Sequence, residues 1–147
     1  MKTLLPLLVV AGLTGPAIAE IVAVPAAGDV AATTDALEAA VENAGATVFA
    51  RVDHAAGAAS VGMELPDAEL LVFGNPKLGT PAMQDDVLAG LMLPLRVLVY
   101  QDGDGQTWLA YEAPAEMLEG VGIPADAPYL KMMEGALKKL TGAAAGN

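Results

Sequence analysis

The chain has one imidazole, His54, directly after Asp53, and one serine, Ser60, six positions further on. Imidazole is the side chain whose unperturbed charge changes near neutrality. Two chemistries follow: His54 as a general base with Asp53 beside it, or His54 as the nitrogen ligand of a soft metal such as copper(I), with a thioether from Met63, Met83 or Met92. A Ser–His–Asp set is poorly supported, because a spacing of six around Gly57 does not align Ser60 with His54 on a helix face. No nucleophile-elbow motif surrounds Ser60 either. The methionines occur singly among apolar residues, where thioethers usually fill cores. The plainer reading of His54 is a hydrogen-bonded histidine at a strand terminus.

The densest cluster of special residues is Phe73-Gly74-Asn75-Pro76-Lys77-Leu78-Gly79-Thr80. Gly74 and Gly79 would let the backbone approach a bound group, and a following helix start would offer free N–H donors. Asn75, Lys77 and Thr80 add side-chain donors for a carboxylate, sulfate or phosphate. It is not a nucleotide P-loop, since Thr80 stands where that motif requires lysine. The alternative is a strand-to-helix connection whose Gly, Asn and Pro make the turn and whose Thr80 only caps. Asp102-Gly103-Asp104-Gly105 superficially suggests a calcium loop. It lacks the third oxygen ligand, has Ala113 at the twelfth position, and reads instead as a hairpin turn.

Charge and composition restrict the partners. Seven basic residues against 18 acidic ones give −11 over 147 residues, and such a surface repels nucleic acid and anionic headgroups. The absence of cysteine excludes disulfides, thiol catalysis, thiolate zinc, iron–sulfur clusters and covalent c-type haem. No cofactor is indicated. Residues 1–19 form an expected cleaved signal peptide: Lys2 supplies the positive start, Leu4 to Leu13 the apolar stretch, and Ala17-Ile18-Ala19 the small-x-small site before Glu20. Pro6, Gly12, Gly15 and Pro16 argue against an uncleaved span, which needs about 20 apolar residues. A periplasmic or secreted domain with no stable membrane span after cleavage is therefore expected.

The elements that must position these residues can be read from periodicity. Strands are expected at Glu20–Val24, Thr47–Asp53, Glu69–Phe73, Leu95–Gln101 and Thr107–Tyr111, the last two joined by the Asp102–Gly105 turn. In the second of these, Val48, Ala50 and Val52 should share one face. Helices are expected from Asp35 to Ala44, stopped by Gly45; from His54 to Gly62; and from Thr80-Pro81, as N-cap and N1, to Gly90. A short one should begin at Pro114. A last one should run from Asp126 to Gly142 with a stripe of Leu130, Met133, Leu137 and Leu140. Residues 20–142 then form one α+β domain with a mixed, largely antiparallel sheet, and residues 143–147 a flexible tail.

Asp53-His54-Ala55-Ala56, the block from Glu69 to Pro81, Leu93-Pro94-Leu95 and Trp108-Leu109-Ala110-Tyr111 together resemble the family called domain of unknown function 302, over roughly Leu37 to Pro114. The resemblance implies a compact α+β domain that tends to self-associate, and no established activity. Asp53, His54, Phe73, Gly74, Asn75, Pro76, Gly79, Thr80, Pro81 and Met83 match its signature positions; Ala82 is smaller than the usual residue. The reading is an exported domain, more in keeping with binding than with catalysis. It would take a small ligand, an anion among the candidates, or a protein partner where the Asp53-His54 strand end and the Gly74–Thr80 loop open toward one edge. The alternatives are a small hydrolase or isomerase with His54 as base and a periplasmic copper-binding protein. A homodimer is compatible with the 54% of hydrophobic residues.

Overall fold

The computed structural model describes residues 20–146. The expected signal peptide lies outside the described residues. Five strands, β1 (Ile21–Ala26), β2 (Thr47–Asp53), β3 (Ala68–Gly74), β4 (Leu95–Gln101) and β5 (Thr107–Glu112), form one sheet in the order β1-β5-β4-β3-β2. Every neighbouring pair is antiparallel, so the sheet is not mixed. Helices α1 (Val30–Asn43), α2 (His54–Ser60), α3 (Pro76–Asp85), α4 (Pro114–Met117) and α5 (Pro128–Ala145) complete an α+β domain. A 3₁₀ turn, Val87–Leu91, follows α3.

Alternation decides which face of the sheet is covered. Leu71 and Phe73 of β3, Leu95, Val97 and Val99 of β4, and Leu109 and Tyr111 of β5 are buried. Buried residues of α1 and α5, including Leu37, Val41, Met133 and Leu137, complete this core. The stripe Leu130, Met133, Leu137 and Leu140 is buried as the periodicity predicts. The residues between them on the strands, Leu70, Val72, Leu98, Tyr100, Trp108 and Ala110, point to the other face and are half-buried. Trp108 and Tyr111 lie on opposite faces, as expected of positions three apart in a strand.

Several boundaries depart from expectation. Helix α1 begins at Val30 rather than Asp35, because Asp29 is its N-cap, its Oδ1 accepting from Ala32 N at 2.8 Å. Asp35 is left on the exposed side of α1, where it meets Arg51 Nη1 at 2.6 Å. Arg51 also bonds Glu69 through Nε at 2.6 Å. Strand β2 carries a register shift between Val48 and Ala50, which pair with Phe73 and Val72. Val48 and Ala50 therefore take opposite faces, and the predicted common face of Val48, Ala50 and Val52 is not formed. As an edge strand β2 is largely exposed, with Phe49 at 58%.

The C-terminal end is helix, not a tail. Gly142 in the helix interior costs about 1 kcal/mol relative to alanine. Continuing one more turn buries Ala144 and Ala145 and lets Ala145 O accept from Ala27 N at 3.1 Å. The helix stops at Gly146, whose φ of 76° is the left-handed cap conformation.

The start of α3 differs most. Asn75 is the N-cap, its Oδ1 accepting from Lys77 N at 3.0 Å, with Pro76 at N1. Thr80-Pro81 has the same cap-and-proline chemistry but lies inside the helix. The earlier pair starts the helix directly off β3, and Ala82 in its second half is fully buried. Asn75→Ala should lower unfolding free energy by about 1 kcal/mol. Thr80→Ala should change it by less than about 0.5 kcal/mol; urea denaturation of the two variants checks which residue is the cap.

Candidate functional site

The register between β2 and β3 fixes where the two motifs lie. Thr47 pairs with Gly74 and Asp53 with Glu69, so Asp53-His54 and Gly74-Asn75 stand at opposite ends of the sheet. Five strand steps separate those ends, roughly 17 Å. A joint site at the Asp53-His54 strand end and the Gly74–Thr80 segment is not formed, and the expectation that both open toward one edge is corrected. Antiparallel pairing of neighbouring strands makes this unavoidable: one motif follows the end of β2, the other follows the end of β3.

At the first end, Asp53 is the N-cap of α2, its Oδ1 accepting from Ala56 N at 2.8 Å. Its carboxylate serves the backbone instead of orienting an imidazole. His54 is exposed at the first position of α2, and its ring makes no hydrogen bond among the described residues. Ser60 donates to Gly57 O at 2.7 Å. His54 and Met83, paired in the copper reading, lie at opposite ends of the sheet and share no site.

At the second end, the backbone donors anticipated for an anion are already engaged. Lys77 N bonds the Asn75 side chain, and Leu78 N and Gly79 N bond Asn75 O at 2.9 and 3.0 Å. The Gly74–Thr80 segment is thus the last residue of β3, the Asn75 cap and the first turn and a half of α3 rather than a loop, and Lys77 points to solvent. What it shapes instead is an apolar cavity of 280 Å³. Gly74, Asn75, Leu78, Gly79, Thr80 and Met83 form one wall; Phe49, Leu93, Pro94, Leu95 and Met133 form the rest. Of the anticipated ligand residues, Gly74, Asn75, Gly79 and Thr80 line it, and Lys77 does not.

Two glycines keep this cavity open. A Cβ on Gly74 would meet Phe49 Cε2 at 3.3 Å and Pro94 Cβ at 3.5 Å, so the Phe49 ring lies directly over this backbone. A Cβ on Gly79 would meet Leu93 Cδ1 at 3.6 Å, at the cavity wall. A second cavity of 440 Å³ shares Gly74, Asn75, Leu78 and Leu95 with the first and continues between the ends of α1 and α5 past Ala44, Ala136 and Lys139. Among the described residues lining the two, Lys139 is the one cation. Sequence reasoning missed Phe49, Leu93 and Met133. Phe49 carried a signal, an aromatic residue on the polar side of its strand; nothing local marks Met133, which arrives from α5.

The family model described as Domain of unknown function DUF302 matches residues 22–144. The chain belongs to this family. A solved structure, an uncharacterized conserved DUF302 protein from Bacillus stearothermophilus, superposes with a TM-score of 0.68 at 20% identity, covering 86% of this chain and 95% of that one. That likeness shows the shared fold. The chain is also 40% identical over 117 residues to proteins named fluoride-specific ion channel FluC 1 from Brucella suis biovar 1 (strain 1330) and Brucella abortus biovar 1 (strain 9-941). The match covers 78% of this DUF302 chain but 46% and 43% of those proteins, so the chain spans less than half their length. No helix among its described residues is long and apolar enough to cross a membrane.

The cavity wall made by α3 is anchored to α5 through Tyr129, whose hydroxyl donates to Asp85 Oδ2 at 2.7 Å. Burial, and then the Asp85 carboxylate, push the Tyr129 phenol up to about 12. The fold favours the neutral phenol, so this contribution to stability is complete below the unfolded value of 10.0 and is lost as pH rises through about 12. Spectrophotometric titration should show a tyrosine ionising near 12, and Tyr129→Phe should remove that step.

Proposed function

We propose that this DUF302 domain is an exported binding module that takes a small, largely apolar molecule into the cavity beside α3. The observation that carries this reading is the lining: Phe49, Leu78, Met83, Leu93, Leu95 and Met133 surround 280 Å³ with no titratable side chain among them. An apolar site without a titratable side chain favours retention over turnover. Since a cavity of about 150 Å³ holds one benzene, this one suits roughly one to two rings or a short alkyl chain. The polar end of such a ligand has Asn75 and, through the adjoining cavity, Lys139 within its surroundings. Export rests on the signal pattern of residues 1–19, with Glu20 as the mature start.

Native mass spectrometry of protein recovered from the exported fraction of its host tests both parts. The expected result is a chain beginning at Glu20 with a retained organic mass. Gly79→Leu, which fills the cavity from a helical position, should abolish retention, and Lys77→Ala should leave it intact. Retention by Gly79→Leu equal to that of the wild type would sink the cavity reading. A chain still carrying residues 1–19 would sink the export reading.

A second reading rests on the relatives. Because the matched 117 residues are part of longer proteins named fluoride-specific ion channels, the domain would accompany a membrane ion-transport protein as a partner. Liposomes loaded with fluoride and carrying this chain alone should show no efflux above protein-free liposomes. Specific efflux would replace the partner role with transport by the chain itself.

A further inference from the structure

Resting on the reading of the cavity as a binding site, we propose that its ligand is a medium-chain aliphatic carboxylate, with its tail beside α3 and its head at Lys139. The 280 Å³ and 440 Å³ cavities share Gly74, Asn75, Leu78 and Leu95, so they adjoin around the start of α3. One side of both runs along α5. Met133 borders the first cavity, and Ala136, Lys139, Leu140 and Ala143 border the second, at spacings that fall on one face of a helix. From Met133 to Lys139 the helix rises about 9 Å. An extended alkyl chain with bonds of about 1.5 Å covers that distance with about eight carbons. Small side chains keep the second cavity open: Ala40, Ala44 and Ala46 line it from the α1 side, and Ala136 and Ala143 from α5.

The two cavities differ in chemistry, and the difference selects the ligand. No titratable side chain lines the first, where Met83 and Met133 supply flexible thioethers that adapt to an alkyl chain. The second holds Lys139, and no carboxylate lines either cavity although the chain has 18 acidic residues. Among the described residues Lys139 makes no ion pair, in contrast to Arg51 and Arg96. Asn75 spends its Oδ1 on Lys77 N, which leaves its Nδ2 as a donor, and the Asn43 side chain beside the second cavity is also without a hydrogen bond among the described residues. One ammonium and two amide donors match a group that carries a single negative charge and only accepts hydrogen bonds, which is a carboxylate. A phosphate dianion would call for more cations and for the paired donors of arginine. A neutral alcohol gains nothing from Lys139, and an alkylammonium is repelled by it.

Isothermal titration calorimetry of the purified protein with octanoate, 1-octanol and octylammonium separates the head from the tail. Octanoate should bind about 5-fold more tightly than 1-octanol, and octylammonium more weakly than either. Lys139→Gln should bring octanoate down to the level of 1-octanol and leave 1-octanol unchanged. Lys138→Gln, at an exposed neighbour that lines neither cavity, should leave all three unchanged. Equal binding of octanoate and 1-octanol, or octanoate binding that survives Lys139→Gln, overturns the carboxylate and leaves the apolar cavity standing. Equal losses in Lys138→Gln and Lys139→Gln, the mark of net charge rather than of a contact, overturn it as well. Absence of binding by all three probes, or 1-octanol binding undiminished in folded Gly79→Leu, overturns the cavity reading and this inference with it.

Discussion

Packing α1 and α5 onto one face of a wholly antiparallel sheet is the constraint from which the rest of this DUF302 domain follows. With β1 and β2 at opposite edges, α1 must carry the chain across the full width of the sheet, and α5 returns against it. Each fully buried leucine or valine in that seam stabilises the fold by roughly 1.5–3 kcal/mol. That is enough to override local preferences: α5 passes through Gly135 and Gly142, and α3 through Pro81, because what lies beyond them is buried. Among the described residues the same one-sided packing leaves the second face of the sheet half-buried and sets Met133 of α5 against α3, in the lining of the cavity.

A second regularity lies in what the polar residues that attract attention bond. Asp29, Asp53, Asn75 and Asp86 each cap a helical segment, and Asp102 caps the β4–β5 hairpin by accepting from Asp104 N and Gln106 N. The Asp86 and Asp102 carboxyls are held below the usual carboxylate range, Asp86 chiefly by Gly122 N and then by Leu88 N, Asp102 chiefly by the Trp108 indole and then by Gln106 N. Short polar side chains at element starts satisfy backbone donors that would otherwise go unpaired. A side chain engaged in that way is committed to the backbone it caps.

The cavity and the second face of the sheet occupy different parts of the molecule. The cavity sits at the end of the sheet where β2, β3, β4 and α3 converge, and its size is set by glycines at 74 and 79 and by the Phe49 ring. The second face lies across the middle of the sheet.

The order and type of most elements were legible in the sequence because they depend on local pattern. The Asp102–Gly105 turn between two alternating runs, the Leu130–Leu140 stripe, and the opposite facing of Trp108 and Tyr111 are all consequences of period and turn chemistry within a few residues. The four positions Gly74, Asn75, Gly79 and Thr80 were likewise marked by type, and they do border the cavity. What the tertiary structure decided is which neighbour each element faces. Register alone separates His54 from Gly74 by the length of the sheet, although both follow a strand in sequence. The choice between Asn75-Pro76 and Thr80-Pro81 as helix start, and the run of α5 past Gly142, turn on burial against distant residues. Phe49, Leu93 and Met133 join one cavity from three separate elements, and no spacing along a chain records a meeting of that kind.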